Sequence, residues 1–374
     1  MTDVPWLILV TAYGACIGSF LNVVIYRLPE GRSLVTPRSS CPRCDHQLAW
    51  FDNIPVFGWL LLGGKCRYCK TRISIQYPCV EALCAALFAG VFWLDYASGL
   101  RPAFFHFGLE TTWPVLIEQL VLVAALLAAT MIDARLYIIP LQIPHTVTLS
   151  ALVVLPAAAA WYPATGQTAP VVGAAGLGAA AGGAAGLALA LALLHWKWLP
   201  RSFDQLEETL NEPEPPDAFL DHPHPRREVL KESLFVALPL LGAVLGYGLM
   251  PIQVENQYPL PLSVLGGVVG GYLAGGGVVW GVRILGTLAF GREAMGLGDV
   301  HLLAAIGAVM GWWDAVAVFF LAPFFGLTGA VVMGGVQLLW KGRGKVIPYG
   351  PYLALAAVVV MVFGQPMRTF FGIF

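Results

Sequence analysis

The stretch AMGLGDVHLLAAIGAVMGWW, residues 294–313, places an acid directly before a run of apolar and small residues. A charged side chain at the edge of a membrane segment is costly, so Asp299 is by default a functional-site candidate. A second isolated acid, Asp133, ends the apolar run in LLAATMIDARLYIIP, residues 126–140. Two carboxylates that come together can share a proton, which is the arrangement that activates water in aspartic proteases.

The composition around these acids is that of a membrane protein. Of 374 residues, 58% are hydrophobic and 11% are charged, whereas soluble proteins carry about a quarter charged residues. The net charge of −1 gives no basic field and therefore no indication of nucleic-acid binding. We predict an all-α polytopic protein with about ten transmembrane helices, each near the ~20 residues that cross a bilayer. The apolar runs are 5–26, 79–98, 114–132, 146–162, 170–195, 233–251, 260–282, 300–313, 315–340 and 347–364.

The distribution of Lys and Arg predicts the orientation of these spans. If Met1 starts outside, 19 of the 21 Lys and Arg residues fall in connections on the cytoplasmic side. These connections are 27–78, 133–145, 196–232, 283–299 and 341–346. Positive residues remain on the cytoplasmic side, so the N-terminus is predicted to lie outside. Asp133 and Asp299 are then both expected near the cytoplasmic surface, where they could meet.

The loop 27–78 carries a metal-binding pattern. Cys41 and Cys44 form one CxxC pair, and Cys66 and Cys69 form a second pair after a gap of 21 residues. This spacing suits two thiolate pairs around one tetrahedral zinc ion. Two disulfides are the alternative, but thiols stay reduced in the cytoplasm, where this loop is predicted to lie. Because all four positions would be filled by protein, the zinc is predicted to be structural.

Several separate motifs together resemble one family. They are GACIGSFLNVVIYRLP at 14–29, the two cysteine pairs, WFDNIP at 50–55, YPCVE at 77–81, GLGD at 296–299 and IPYGPYLALAA at 347–357. The sequence resembles the type IV prepilin peptidases, a family of GxGD-type intramembrane aspartyl proteases. The resemblance implies an eight-helix plan, to which residues 196–232 and their flanking spans look like an addition.

The resemblance also implies roles for residues of this chain. Asp133 and Asp299 would be catalytic, the four cysteines would hold zinc, and Gly296, Gly298, His301 and Glu81 would support the active site. The implied substrates are prepilin or pseudopilin precursors, cut after a glycine that ends a short basic leader. Cleavage would take place at the cytoplasmic face of the bacterial inner membrane. Methylation of the new N-terminus by S-adenosylmethionine is also implied, although no binding site for it can be identified from the residues.

The chain departs from the family pattern at two places. Leu141 and Gln142 follow Pro140, where a proline followed by Asp or Asn is usual, and His301 replaces the usual Lys. An imidazole titrates near neutral pH with an ordinary pKa of about 6.5, so we expect activity to fall more steeply with pH than in relatives with Lys.

The sequence suggests five regions: a first helix (1–26), a cysteine domain (27–78), helices that carry Asp133 (79–195), an acidic insert (196–232) and helices that carry Asp299 (233–374). Runs rich in Gly and Ala at 174–186 and 266–277 are predicted to pack helices together rather than to cradle a cofactor.

Two other functions remain open at this stage. A transporter could use Asp133 and Asp299 to bind a proton or a cation, and a protease-like scaffold could be inactive. The transporter hypothesis does not account for the four cysteines. The sequence does not indicate which precursor is cut, or the oligomeric state.

Overall fold

The protein was analysed as a computed structural model. The structure describes residues 4–41, 43–101, 108–161, 176–202, 224–250, 260–340 and 348–370, without the side chains of 161, 260 and 332–340. The fold is helical, as predicted, and divides into two compact units, Met1–Leu136 and Tyr137–Phe374. Each unit is described by itself. Most of the acidic insert, residues 203–223, lies outside the described residues.

The first unit contains three long helices and one short helix. They are α1 (Val4–Arg27), α2 (Phe57–Leu61), α3 (Gln76–Tyr96) and α4 (Leu109–Leu136), with a 3-10 turn at Trp50–Asn53. The second unit contains α5 (Gln142–Trp161), α6 (Leu177–His195), α7 (Pro225–Leu249), α8 (Leu260–Phe290), α9 (Leu297–Met310), α10 (Trp312–Trp340) and α11 (Gly350–Phe370).

Nine of the described helices are long and apolar enough to cross a membrane. Helix α9 is the exception among the apolar helices of the second unit, because it has only 14 residues. It corresponds to the run 300–313, the short eighth of the ten predicted spans. The prediction of an all-α protein with about ten membrane helices is therefore confirmed.

Glycines let α1 pack closely on α3 in the first unit. A Cβ atom on Gly14 would lie 2.9 Å from Ala85 Cα, and one on Gly18 would lie 2.6 Å from Glu81 Cα. No larger side chain fits at either position without a shift of the helices. Helix α4 packs against both of these helices and is largely buried.

Helix pairs in the second unit meet in the same way. Glycines of α6 face those of α7, and a Cβ atom on Gly271 of α8 would collide with the carbonyl oxygen of Gly307 of α9. The facing glycines of the first pair are Gly178, Gly182 and Gly186 on α6 with Gly242 and Gly246 on α7. The described parts of the Gly- and Ala-rich runs therefore pack helices.

Helix α7 begins earlier than its hydropathy suggests. The polar segment PRREVLKE, which belongs to the predicted insert, forms its first two turns from Pro225. Proline suits the first helical position because it has no N–H to satisfy there. Within these turns Lys231 pairs with Glu228 at 2.7 Å, and Glu232 is buried against α8.

Candidate active site and metal centre

Asp299 lies in the first turn of α9, in the second unit. Gly296 is the N-cap residue of this helix, with φ −73° and ψ 149°. A negative side chain is favourable at this end of a helix because the backbone dipoles place partial positive charge there. The short helix thus presents a carboxylate at the start of a nearly fully buried apolar segment.

The two glycines of the motif act through their missing Cβ atoms. Neither has a positive φ, so the conformational freedom of glycine is not what these positions require. A Cβ on Gly296 would lie 3.4 Å from Oδ2 of Asp299, and one on Gly298 would lie 2.9 Å from Cβ of Ile139. Gly296 places no side-chain atom against Oδ2 of Asp299, and Gly298 leaves room for Ile139 in the loop that precedes α5.

His301 faces away from Asp299. Each residue turns an α-helix by about 100°, so side chains two positions apart point to nearly opposite faces. The imidazole of His301 packs edge-on against His145 of α5, with ring centroids 5.4 Å apart. Its Nδ1 atom is buried and has no hydrogen-bond partner. The helix therefore does not place His301 in direct contact with the Asp299 carboxylate. Such a contact would be expected of a supporting cation.

Tyr349 lies within electrostatic reach of Asp299 and was not singled out from the sequence. Its hydroxyl group is buried and has no hydrogen-bond partner. Burial raises the pKa of the Tyr349 phenol above its ordinary value, and the negative charge of Asp299 raises it further. The IPYGPY motif in the sequence indicates that this segment matters, but it does not single out Tyr349 within the segment.

Asp133 belongs to the first unit and lies in the last turn of α4, where 6% of it is exposed. A salt bridge to Arg135, two residues later in the sequence, would be the simplest structural role for an acid at this helix end. The guanidinium carbon of Arg135 instead lies 4.6 Å from the ring centroid of Tyr26 on α1. The same ring stacks on Tyr77 of α3 at 5.5 Å. Asp133 therefore lies at the end of the unit where all three long helices adjoin the cysteine domain.

Glu81 ties the cysteine domain to α3. Its side chain is buried, and Oε2 accepts a hydrogen bond of 2.6 Å from the backbone N–H of Val56. Val56 has φ +61°, which is a strained conformation for a β-branched residue. The hydrogen bond to this strained backbone position gives Glu81 a structural role. This role accounts for a buried acid at the start of α3.

The four cysteines of the first unit come together. The Sγ atoms of Cys41, Cys44, Cys66 and Cys69 all lie within 4.8 Å of one another, and those of Cys41 and Cys69 are 3.7 Å apart. Four sulfurs bound at about 2.3 Å around a tetrahedral zinc are about 3.8 Å apart, so the geometry fits the ion. The backbone N–H of Arg43 bonds the sulfur of Cys41 and lowers the pKa of this thiol to about 7. A thiol that ionises readily is a suitable metal ligand.

Two matching turns build this metal centre. In the first turn the N–H of Cys41 donates to the carbonyl of His46, and in the second the N–H of Cys66 donates to Thr71. Asp45 and Lys70 occupy equivalent places, four residues after the first cysteine of each pair, with φ of 52° and 58°. The domain is thus a local duplication of one cysteine turn. Among the described residues it is the one group of three or more acids, histidines or cysteines arranged for a metal ion.

Two family models match separate parts of the chain. The model described as Bacterial Peptidase A24 N-terminal domain matches residues 12–94, and that of the Type IV leader peptidase family matches residues 228–331. The first range contains the four cysteines and Glu81, and the second contains Asp299. Asp133 lies outside both ranges. No solved structure matches the chain.

Curated relatives extend the similarity to almost the whole length. The chain is 28% identical over 395 residues to a prepilin leader peptidase/N-methyltransferase of Aeromonas salmonicida (strain A449), covering 98% of this chain and 94% of the relative. It is 28% identical over 384 residues to the protein of that name from Pseudomonas aeruginosa, covering 96% and 90%. A Myxococcus xanthus relative of the same name is 45% identical over 130 residues, 34% of each chain. The chain belongs to the type IV leader peptidase family.

Proposed function

We propose that this protein is a membrane aspartyl endopeptidase that removes the basic leader from prepilin-type precursors at the cytoplasmic face. The observation that carries the proposal is the placement of Asp299 in the first turn of the short apolar helix α9, directly after the Gly296 N-cap residue. The names of the full-length relatives supply the substrate class. The concentration of 19 of the 21 Lys and Arg residues on one predicted side supports the face.

Asp133 is proposed as the second carboxylate of the pair. It is a buried acid in the last turn of α4, at the end of an apolar segment. One member of the pair would be ionised and take a proton from water as the oxygen attacks the scissile carbonyl carbon. The other would be protonated and donate a hydrogen bond to the carbonyl oxygen. Collapse of the tetrahedral intermediate breaks the C–N bond and returns a proton to the leaving amine.

Zinc has a structural role in this proposal. Cys41, Cys44, Cys66 and Cys69 would hold it and leave no open position, so the ion would order the cysteine domain rather than activate water. The bond from Val56 to Glu81 would transmit that order to the start of α3.

N-methylation of the new N-terminus is the second proposed activity. It rests on the names of the relatives and on the presence of the cysteine domain, which goes with the bifunctional branch of the family. S-adenosylmethionine would supply the methyl group. The described residues do not single out a site for this donor, and we assign no step of the transfer to a side chain.

The test is cleavage of a prepilin-type precursor by the purified full-length protein in lipid nanodiscs. Wild type is compared with Asp133→Asn and Asp299→Asn, and the products are weighed by mass spectrometry. Each substitution removes a group that must transfer or hold a proton, so each should lower the rate by about 10³-fold or more. A methylated product that requires added S-adenosylmethionine would establish the second activity.

Asp314→Asn is the matched control, because Asp314 is also a buried acid of the second unit but pairs with Arg368. It should cleave at close to the wild-type rate if folded. Cleavage that survives in both Asp133→Asn and Asp299→Asn would overturn the proposal. Proton or cation flux that depends on the same two residues, without cleavage, would favour the transporter.

A further inference from the structure

Arg283 is a buried cation of the second unit that the proposed chemistry does not use. It lies on α8, and 1% of it is exposed. Its Nε and Nη2 atoms each donate to the carboxylate of Glu232 on α7, with shortest distances of 3.0 Å. Burying a guanidinium is costly unless its donors are satisfied, so a structure that retains one deep in an apolar unit must place its partners closely.

The remaining nitrogen of Arg283 holds the segment that leads into Asp299. Nη1 donates both to the carboxylate of Glu293 and to the backbone carbonyl of Met295. Met295 directly precedes the N-cap residue of α9. One side chain therefore connects α7 and α8 with the backbone four residues before the proposed catalytic acid.

The other partners of Glu232 hold this network in one orientation. Nε1 of Trp280 donates to Glu232 at 2.8 Å, and the hydroxyl of Ser202 donates at 3.3 Å. A carboxylate that accepts from several fixed donors has little freedom to rotate. Ser202 and Glu232 both belong to the predicted insert, residues 196–232, so the network lies where the insert joins the helices.

Thr287 provides an independent attachment for the same segment. Its hydroxyl, on α8 one turn after Arg283, accepts a hydrogen bond of 3.2 Å from the backbone N–H of Ala294. Gly286 leaves room for this contact, because a Cβ atom there would lie 2.6 Å from Cβ of Ala294. Three consecutive residues, 293–295, are thus bonded to α8.

We infer that Arg283 is a positioning residue for Asp299: with Thr287 it fixes segment 291–296 on α8 and so sets where the first turn of α9 presents its carboxylate. The inference rests on the proposed peptidase function. A displacement of about 1 Å at a catalytic group can cost about 10²-fold in rate, so this attachment should affect turnover more than substrate binding.

The experiment measures kcat and KM for precursor cleavage by full-length Arg283→Gln, Arg283→Lys and Thr287→Val. Arg283→Gln should lower kcat by about tenfold or more with KM within about twofold, since only the acid is displaced. Lys can pair with a carboxylate but has no planar fork to reach the carbonyl as well, so Arg283→Lys should recover only part of kcat. Thr287→Val keeps the side-chain shape and the buried charges, and should lower kcat several-fold.

Hydrogen exchange of residues 291–299 gives a readout that does not depend on catalysis. Exchange should rise in all three variants. Arg368→Gln and Thr328→Val are the controls. Arg368, in the last turn of α11, pairs with Asp314 in the first turn of α10. The Thr328 hydroxyl bonds only within its own helix. Both controls should keep exchange in 291–299 and kcat as in wild type.

Unchanged kcat and unchanged exchange in folded Thr287→Val and Arg283→Lys would overturn the inference. Loss of thermal stability with normal kcat would also overturn it, because it would assign the network to folding alone. Absence of cleavage by the wild-type protein would count against the proposed function instead, and the exchange measurement would still decide whether Arg283 fixes the segment.

Discussion

The cysteine domain of the first unit and the segment before Asp299 in the second unit are both polar stretches beside apolar helices, and different forces hold them. The cysteine domain consists of two short turns whose four thiols converge on one point. Segment 291–296 has no such centre. It depends on hydrogen bonds to Arg283 and Thr287 of α8. It also depends on the packing of α8 against α9 at Gly271.

The two parts should therefore lose their order in different ways. A domain held by a metal ion should lose its order when one ligand is lost. The loss should stay within the domain and the start of α3, because nearby residues form the domain and Glu81 bonds it to that helix. A segment held by long-range bonds depends on the packing of several helices, so a change far from it in the sequence should reach it. Four substitutions test this contrast.

The largest effect is expected for Cys66→Ala, which removes a buried thiol of the metal centre. Structural zinc sites contribute about 10 kcal/mol or more to folding of small domains, so three ligands should not keep the domain ordered. Hydrogen exchange in residues 40–72 should rise strongly and the zinc content should fall. Cys79→Ala is the control, because Cys79 is exposed and outside the cluster. Full zinc content in Cys66→Ala would refute the metal-held description.

Gly271→Ala should give the next effect, in the second unit. The added methyl group would collide with the backbone of α9, and overpacking of this kind costs about 1–3 kcal/mol. The free energy of unfolding in detergent should fall, and exchange in 291–299 should rise with it. Gly277→Ala on the same helix meets nothing within 4 Å and should be neutral or slightly stabilising. Equal stabilities for the two variants would contradict the packing argument.

Glu81→Ala tests the connection between the cysteine domain and α3. It leaves the N–H of Val56 without its acceptor, and an unsatisfied backbone donor should cost about 1–3 kcal/mol. Glu81→Gln retains an oxygen acceptor and should lose less. Exchange at residues 52–58 measures the effect. Unchanged exchange of residues 52–58 in Glu81→Ala would show that other contacts hold the strained turn.

The smallest effect concerns the two positive-φ residues of the cysteine turns. Lys70→Gly should stabilise the domain by up to about 1 kcal/mol, because a lysine is strained there and glycine is not. Asp45→Gly should gain less, since Asp tolerates this conformation better. Chemical denaturation of the zinc-loaded protein is the measurement, and a destabilising Lys70→Gly would contradict the stated origin of the strain.

The elements that could be predicted from the sequence were those with local signals. Apolar runs gave the helices, and the CxxC spacing gave the group of four cysteines that the structure brings together. Asp45 and Lys70 follow the first cysteine of each pair at the same offset. This shared offset is a local sign of the two matching turns.

What the sequence could not provide was pairing between distant residues. Glu232 and Arg283 are 51 positions apart, and nothing in either segment indicates that they meet. The same is true of Val56 and Glu81, 25 positions apart. The catalytic and supporting roles of all the predicted active-site residues remain predictions: Asp133, Asp299, Gly296, Gly298, His301 and Glu81. The structure adds that His301 packs on His145.

Gly296 has a consequence for the evolution of the family. Its backbone angles are ones that most residues adopt, and an added Cβ would only touch Oδ2 of Asp299 at 3.4 Å. An alanine would therefore leave folding almost intact while covering one oxygen of the acid. Under the proposed function, selection at position 296 would act on access to the acid, so that Gly296→Ala should be expressed and inserted normally and yet lose activity.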